Sequence, residues 1–220
     1  HLKFNLTKNI LSWYDNNKRT LPWRVGKKSS NQLYYRVLSE FMLQQTQVKT
    51  VIPYFKKFTK KFRNLNSLSK ASEKKILKLW EGLGYYRRAR NLLTTSKLLV
   101  NKYDSKLPKE IDEIKILPGI GDYTSNVLAA LIYNKPTLAL DENGKRVISR
   151  ILNIEMNKID FKVFKINNKK NIFNTNRNSD LVEAMMEFGA LVCNSKIPKC
   201  EICPIQKNCK FYKSKNKIKR

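Results

Sequence analysis

The sequence predicts an all-α protein built as two helical subdomains, and three observations carry that reading. Apolar residues recur at three- and four-residue spacing in one segment after another. Two of those segments are joined by a tight hairpin holding two glycines one residue apart, Leu117-Pro118-Gly119-Ile120-Gly121. All four cysteines fall in the last thirty residues, which points to one local site and not to scattered disulfides. At 220 residues the chain is long enough for one large domain or two small ones, each with a core.

Composition bounds the function. The chain has 45 Lys and Arg against 17 Asp and Glu, a formal net charge of +28, so its natural partner is a polyanion, most simply nucleic acid. A genome rich in A and T would also raise Lys, Asn and Ile, but would not by itself suppress acidic residues. No apolar run approaches the length of a membrane span, and no secretory signal is present. The one histidine is His1, which disfavours a histidine-based triad or a histidine-ligated metal.

Taken in order, residues 5–15 predict a short amphipathic helix through Leu6, Ile10, Leu11 and Tyr14. Pro22 then breaks regular structure in Arg19-Thr20-Leu21-Pro22-Trp23-Arg24. Trp23 either plugs the core or, with Arg19 and Arg24 beside it, lines a pocket for a flat polar ring. Residues 32–48 predict a helix with Leu33, Val37, Gln44 and Val48 on one stripe and Glu40 in its middle. A carboxylate on an apolar face either holds a proton near neutral pH, as a general acid must, or forms a structural salt bridge. Leu43, Gln44 and Gln45 place an aliphatic tip and two amides near the helix end, suited to wedging into a base stack or lying on the surface.

Residues 51–100 continue as helices interrupted at Gly82-Leu83-Gly84-Tyr85-Tyr86-Arg87-Arg88. The paired aromatics and arginines suit stacking on bases with phosphate contact, or two buried tyrosines capping a helix. Pro108, Ile111, Ile114 and Leu117 lead into the hairpin, and Val127, Leu128, Leu131 and Ile132 lead out of it. Gly119 and Gly121 allow unusual φ and close approach of another molecule, and N–H groups at the following helix start favour an anion. Asp141 is an N-cap for a helix holding Val147, Ile148, Ile151 and Leu152. Residues 157–180 predict a loop with one irregular helix, residues 181–193 a helix carrying Glu183 and Cys193, and residues 210–220 a flexible basic tail.

Cys193, Cys200, Cys203 and Cys209 are separated by six, two and five residues. Zinc sites of four thiolates usually come as two close pairs, and only Cys200 and Cys203 form one; four thiolates in a compact loop also suit a [4Fe-4S] cluster. The spacing matches the cluster loop of the endonuclease III superfamily of DNA glycosylases, and Leu-Pro-Gly-Ile-Gly resembles the helix-hairpin-helix of the same enzymes. With Leu21-Pro22-Trp23-Arg24, Ser39 to Thr46 and Gly82 to Arg88, the chain from Arg19 to Cys209 resembles the adenine DNA glycosylase family (MutY type).

The resemblance implies removal of adenine mispaired with 8-oxoguanine or guanine in double-stranded DNA, by a monomeric, monofunctional hydrolase of the bacterial cytoplasm and nucleoid. Glu40 would protonate adenine and Asp141 would stabilise the sugar cation, as paired carboxylates do in glycoside hydrolysis, after the base is flipped out of the duplex. Tyr123 and Asn143 would hold the two carboxylates. Arg19, Leu21, Trp23, Arg24 and Glu183 would line the adenine pocket. Gln45 and Tyr85 would enter the stack, with Leu43, Gln44, Tyr86, Arg87, Arg88, Gly119, Gly121 and Lys145 among the DNA contacts. Cys193, Cys200, Cys203 and Cys209 would bind the [4Fe-4S] cluster. The expected division is a six-helix hairpin-bearing subdomain over 27–135 and a cluster subdomain of 1–26 plus 136–220, with DNA in the cleft.

Two positions depart from the family pattern: Glu142 stands where Gly is usual, and Gly144 where an aliphatic residue is common. The residues after Cys209 are too few for the family's C-terminal domain. The alternatives are a glycosylase/lyase acting on oxidised pyrimidines, disfavoured because that branch has a lysine where Tyr123 stands, and a non-catalytic DNA-binding or redox module.

Overall fold

The computed structural model describes residues 6–26, 28–137, 139–158 and 175–217. Among these there are eleven α-helices and three short 3-10 turns. The chain divides into two compact units, one spanning Thr20–Tyr133 and the other made of the described residues up to Arg19 and from Asn134 onward.

The hairpin unit, Thr20–Tyr133, contains α2 (Gln32–Leu43), α3 (Val48–Lys61), α4 (Leu65–Ser69), α5 (Glu73–Trp80), α6 (Arg87–Lys102), α7 (Ile111–Lys115) and α8 (Asp122–Tyr133). Local signals set several boundaries. Asn64 and Ser67 form a capping box at α4, and Ser72 caps α5. α2 packs against α3, α6 and α8, and α6 carries α4 and α5 on its flank. Residues Thr124 to Leu131 of α8 are buried without interruption, so this helix is the apolar centre and not an amphipathic surface helix. Phe41, Phe55, Phe58 and Trp80 fill the core, with Phe58 and Trp80 edge-to-face at 5.8 Å. The unit begins ahead of residue 27 because Leu21 and Trp23 lie in this core.

The cysteine unit contains α1 (Leu6–Asn17), α9 (Glu142–Leu152), α10 (Asn178–Leu191) and α11 (Lys210–Lys217). α10 packs on α1 and α9, and α11 on α9. Ile10, Tyr14, Ile148, Met185 and Phe188 lie at the centre of its core. Asn153, at φ 53, ends α9 in the left-handed conformation common after helices.

Three expectations need correction. The helix expected over 32–48 stops at Leu43, because carbonyls at its end are taken by Arg88 from far along the chain. Its buried residues are Tyr34, Arg36, Val37, Leu38, Ser39, Phe41 and Met42, and Glu40 is half-buried among them. The basic tail is not all loose: Lys210–Lys217 is helical, anchored through Phe211 and Tyr212 beside the cysteines. Most of the loop expected over 157–180 lies outside the described residues, and α10 starts at Asn178.

Candidate active site

Three turns of the hairpin unit are tied into one platform. Gly119 takes φ +81, and a Cβ there would sit 2.8 Å from Asn91 and Phe41, so both conformation and space require glycine. Gly121 needs neither: it is exposed, with open space where a Cβ would stand. Leu117 and Ile120 anchor the hairpin in the core, and Thr95 Oγ1 donates to the Pro118 carbonyl at 2.9 Å. From the turn after α2, the Gln44 side-chain amide donates to the Gly119 carbonyl at 3.1 Å. The Lys115–Asp122 ion pair spans the hairpin at the surface.

Arg88 overturns the expectation of a phosphate contact. Only 7% of it is exposed, and its guanidinium points inward. Nη1 donates to the carbonyls of Met42 at 2.8 Å and Gln44 at 2.5 Å, with Phe41 O at 3.3 Å and Thr46 Oγ1 at 3.1 Å nearby. Nη2 reaches the Leu83 and Gly84 carbonyls, each at 3.2 Å. A cation here satisfies orphan carbonyls at the C-terminus of α2 and complements the helix dipole. Burial lowers the Arg88 pKa. The tyrosines behave otherwise: Tyr85 is 65% exposed and Tyr86 is exposed too, so neither is a buried cap. Arg87 and Gln45 are exposed, and Leu43 is half-buried. Gln45 and Tyr85 both adopt positive φ, 56° and 49°. For non-glycine residues this costs on the order of 1–3 kcal/mol each.

Trp23 is a core residue: it is 3% exposed and meets Phe55 edge-on at 5.4 Å. Leu21 is buried with it, so neither is an open pocket wall; Arg24 beside them is half-buried. Tyr123 stands half-buried in the first turn of α8.

In the cysteine unit, Asp141 caps α9. Its Oδ1 accepts from the Gly144 N–H at 2.7 Å and its Oδ2 from the Asn143 side-chain amide at 3.0 Å. The carboxylate is thus oriented by two donors at a helix N-terminus. Gly144 fits the space: a Cβ there would approach Leu140 Cδ2 at 2.9 Å. Glu142 points its charge to Lys145, 3.0 Å away, and is exposed. Residues the sequence did not single out complete the support. Arg146 Nη2 donates to Asn143 Oδ1 and to the Gly189 carbonyl, both at 2.8 Å, and its Nε to the Cys193 carbonyl at 3.0 Å. Gly189 lets α10 approach α9 closely, since a Cβ would lie 2.7 Å from Asn143 Cβ and 3.1 Å from its backbone. The only sequence signal for Arg146 is its position three residues after Asn143; its other partners lie more than forty residues away.

Arg19 is held by Glu187, a residue the sequence reading passed over. Its Nε and Nη2 form a fork on the carboxylate, with Nη2–Oε1 at 2.6 Å, and its backbone N–H also donates to Glu187. Glu183 is buried and accepts from Tyr14 OH at 2.7 Å.

The four cysteines form no disulfide and all line one cavity, together with Arg150, Pro198, Phe211 and Tyr212. Burial, followed by the charges of neighbouring thiolates, raises the Cys200 pKa. Burial also raises Cys209, and pushes the Cys203 thiol up to about 11. Thiols gathered so closely ionise with difficulty by themselves, whereas a cationic group would stabilise them all. Arg150 braces the loop, donating to the carbonyls of Asn194 at 2.6 Å and Ser195 at 2.9 Å. Among the described residues no three His, Cys, Asp or Glu side chains converge so as to hold a single metal ion.

The chain belongs to the HhH-GPD superfamily of base excision DNA repair proteins, whose family model matches residues 38–170. It is 42% identical over 207 residues, 92% of its length, to an adenine DNA glycosylase of Buchnera aphidicola subsp. Baizongia pistaciae (strain Bp). It is 39% identical over 216 residues, 96% of its length, to the adenine DNA glycosylase of Buchnera aphidicola subsp. Schizaphis graminum (strain Sg). The chain covers 57% and 60% of these two relatives. A thermostable thymine-DNA glycosylase shares the fold, with a TM-score of 0.80 at 24% identity, covering 94% of this chain and 95% of the other. Among the described residues no helix is long and apolar enough to cross a membrane.

Proposed function

We propose that the chain is the catalytic part of an adenine DNA glycosylase that hydrolyses the N-glycosidic bond of adenine mispaired with guanine or 8-oxoguanine. The observation that carries the reading is Asp141, whose carboxylate is held at the N-terminus of α9 by Asn143 and Gly144. The relatives named adenine DNA glycosylase support the choice of base.

Glu40, on α2, protonates the departing adenine so that it leaves as a neutral base. Asp141 stabilises the positive charge that develops on the sugar as the bond to the base breaks. Water then adds its hydroxide to the sugar carbon and releases a proton. A fixed acceptor stabilises charge without reorganising, which is why the two donors on Asp141 matter. Tyr123 offers a phenol where a lyase needs an amine to form a Schiff base, so the strand stays intact. The exposed hairpin around Gly121, with Tyr85, Tyr86 and Arg87, supplies duplex contacts.

Cys193, Cys200, Cys203 and Cys209 would hold a [4Fe-4S] cluster, a reading supported by their lining one cavity. When bound, such a group supplies four iron–sulfur bonds that cross-link the loop. Arg150 and the half-buried Phe211 and Tyr212 keep that loop braced and shielded.

A panel of duplexes tests the reading: A opposite G, A opposite 8-oxoguanine, A opposite T, and thymine glycol opposite A. Free adenine should be released from the first two and strands should break only after alkali. Release of thymine glycol with breaks before alkali, and borohydride trapping of protein on DNA, would show a lyase instead.

A further inference from the structure

Two turns of the hairpin unit present side chains that are both exposed and conformationally strained, and one buried guanidinium holds both. Gln45 sits at φ 56 after α2, and Tyr85 at φ 49 before α6. Neither is glycine, asparagine or aspartate, the residues that ordinarily tolerate this region. Such conformations persist only where the surroundings over-determine them, and they gather at functional sites.

Here Arg88 supplies the over-determination. Its Nη1 grips the carbonyl of Gln44 at 2.5 Å, and its Nη2 the carbonyl of Gly84 at 3.2 Å. Each is the carbonyl immediately preceding a strained residue. Fixing that oxygen fixes the peptide plane shared with the next nitrogen, and so limits φ of Gln45 and of Tyr85. The fork is planar and rigid, so the two turns are held in one spacing. The guanidinium also lies 5.5 Å from the Tyr85 ring.

We propose that Arg88 is a positioning residue that sets Gln45 and Tyr85 as a paired probe for the base stack of mismatched duplex DNA. This rests on the glycosylase reading above. It assigns the conspicuous arginine of the Tyr-Tyr-Arg-Arg run to the shape of the probe and leaves phosphate contact to its exposed neighbour Arg87. A probe pre-set in this way needs no further ordering when it meets DNA, so more of its contact energy goes into opening the stack. Lysine cannot substitute, because one ammonium cannot span both carbonyls.

The test compares wild type with Arg88→Lys on two substrates: adenine opposite guanine in a full duplex, and adenine within an unpaired bubble that is already unstacked. Single-turnover excision from the duplex should fall about 10–100-fold, the usual cost of a small misplacement, while excision from the bubble stays within about twofold. The salt dependence of duplex binding should keep its slope in Arg88→Lys and lose about one unit in Arg87→Ala. A fluorescent base beside the mismatch should brighten with wild type and not with Arg88→Lys.

Equal losses on duplex and bubble, an unchanged duplex rate, or a slope reduced by about one in Arg88→Lys would overturn the proposal. Should Arg88→Lys fail to fold, Gly84→Ala takes its place. A Cβ there meets nothing within 4 Å, but φ +76 is strained, so only the turn shifts and the same duplex-selective loss is expected. If wild type opens the stack but releases no adenine, the adenine reading falls and the fluorescence alone decides the role of Arg88.

Discussion

Asp141 does two things that substitutions can separate. Its Oδ1 caps α9 through Gly144, and its charge, held by Asn143, is the sugar-side stabiliser in the proposed reaction. Asp141→Asn keeps a good cap and removes the charge, so thermal stability should change little while excision falls by on the order of 10²-fold or more. Asp141→Ala should lose the same activity and about 1 kcal/mol of stability as well. Denaturant melts alongside single-turnover rates check both; an active Asp141→Asn would remove the carboxylate from the chemistry. The cap itself was readable in the sequence, because Asp before an amphipathic run is a local signal. Its supporters were not. Gly189, and the Gly189 and Cys193 carbonyls that fix Arg146, come to Asn143 from more than forty residues away, where only tertiary packing brings them close. Arg88 was misread for the same reason: a basic residue in a Tyr-Tyr-Arg-Arg run carries no local sign that it will turn inward.

Among the elements, the contact of α9 with α10 depends on Gly189. An added methyl would lie 2.7 Å from Asn143 Cβ and 3.1 Å from its backbone, atoms that cannot swing aside as a flexible side-chain end can. Gly189→Ala should therefore cost about 1–3 kcal/mol through overpacking and displace the N-terminus of α9. Denaturant unfolding should show the loss, and adenine excision should fall in the protein that remains folded. Wild-type stability in Gly189→Ala would mean that the helices part without strain. The hairpin was the most readable element, because Pro118, Gly119 and the flanking apolar spacing are all local. The end of α2 was unreadable: no Gly or Pro marks residues 44–47, and the stop comes from Arg88, more than forty residues on. The helix Lys210–Lys217 hid behind its charge, although Phe211 and Tyr212 tie it to the cysteine cavity.

For the molecule as a whole, a net charge of +28 on 220 residues suits a partner as charged as DNA, and the family membership agrees with it. On the proposed reading, the integrity of the cysteine loop depends on a bound cluster. Protein purified without air should be brown and carry about four irons per chain, and chelation of that iron should loosen the loop from Cys193 to Cys209. Stoichiometric zinc without visible absorption would assign the cavity to zinc.

The decisive measurement is single-turnover release of adenine from a duplex with adenine opposite 8-oxoguanine, by wild type and Glu40→Gln, with duplex binding measured in parallel. Wild type should release adenine, and Glu40→Gln should bind as tightly but lose ~10²–10⁴-fold or more in rate, the usual worth of a general acid. Near-normal release by Glu40→Gln, or no adenine from wild type under conditions where it binds, would contradict the assignment.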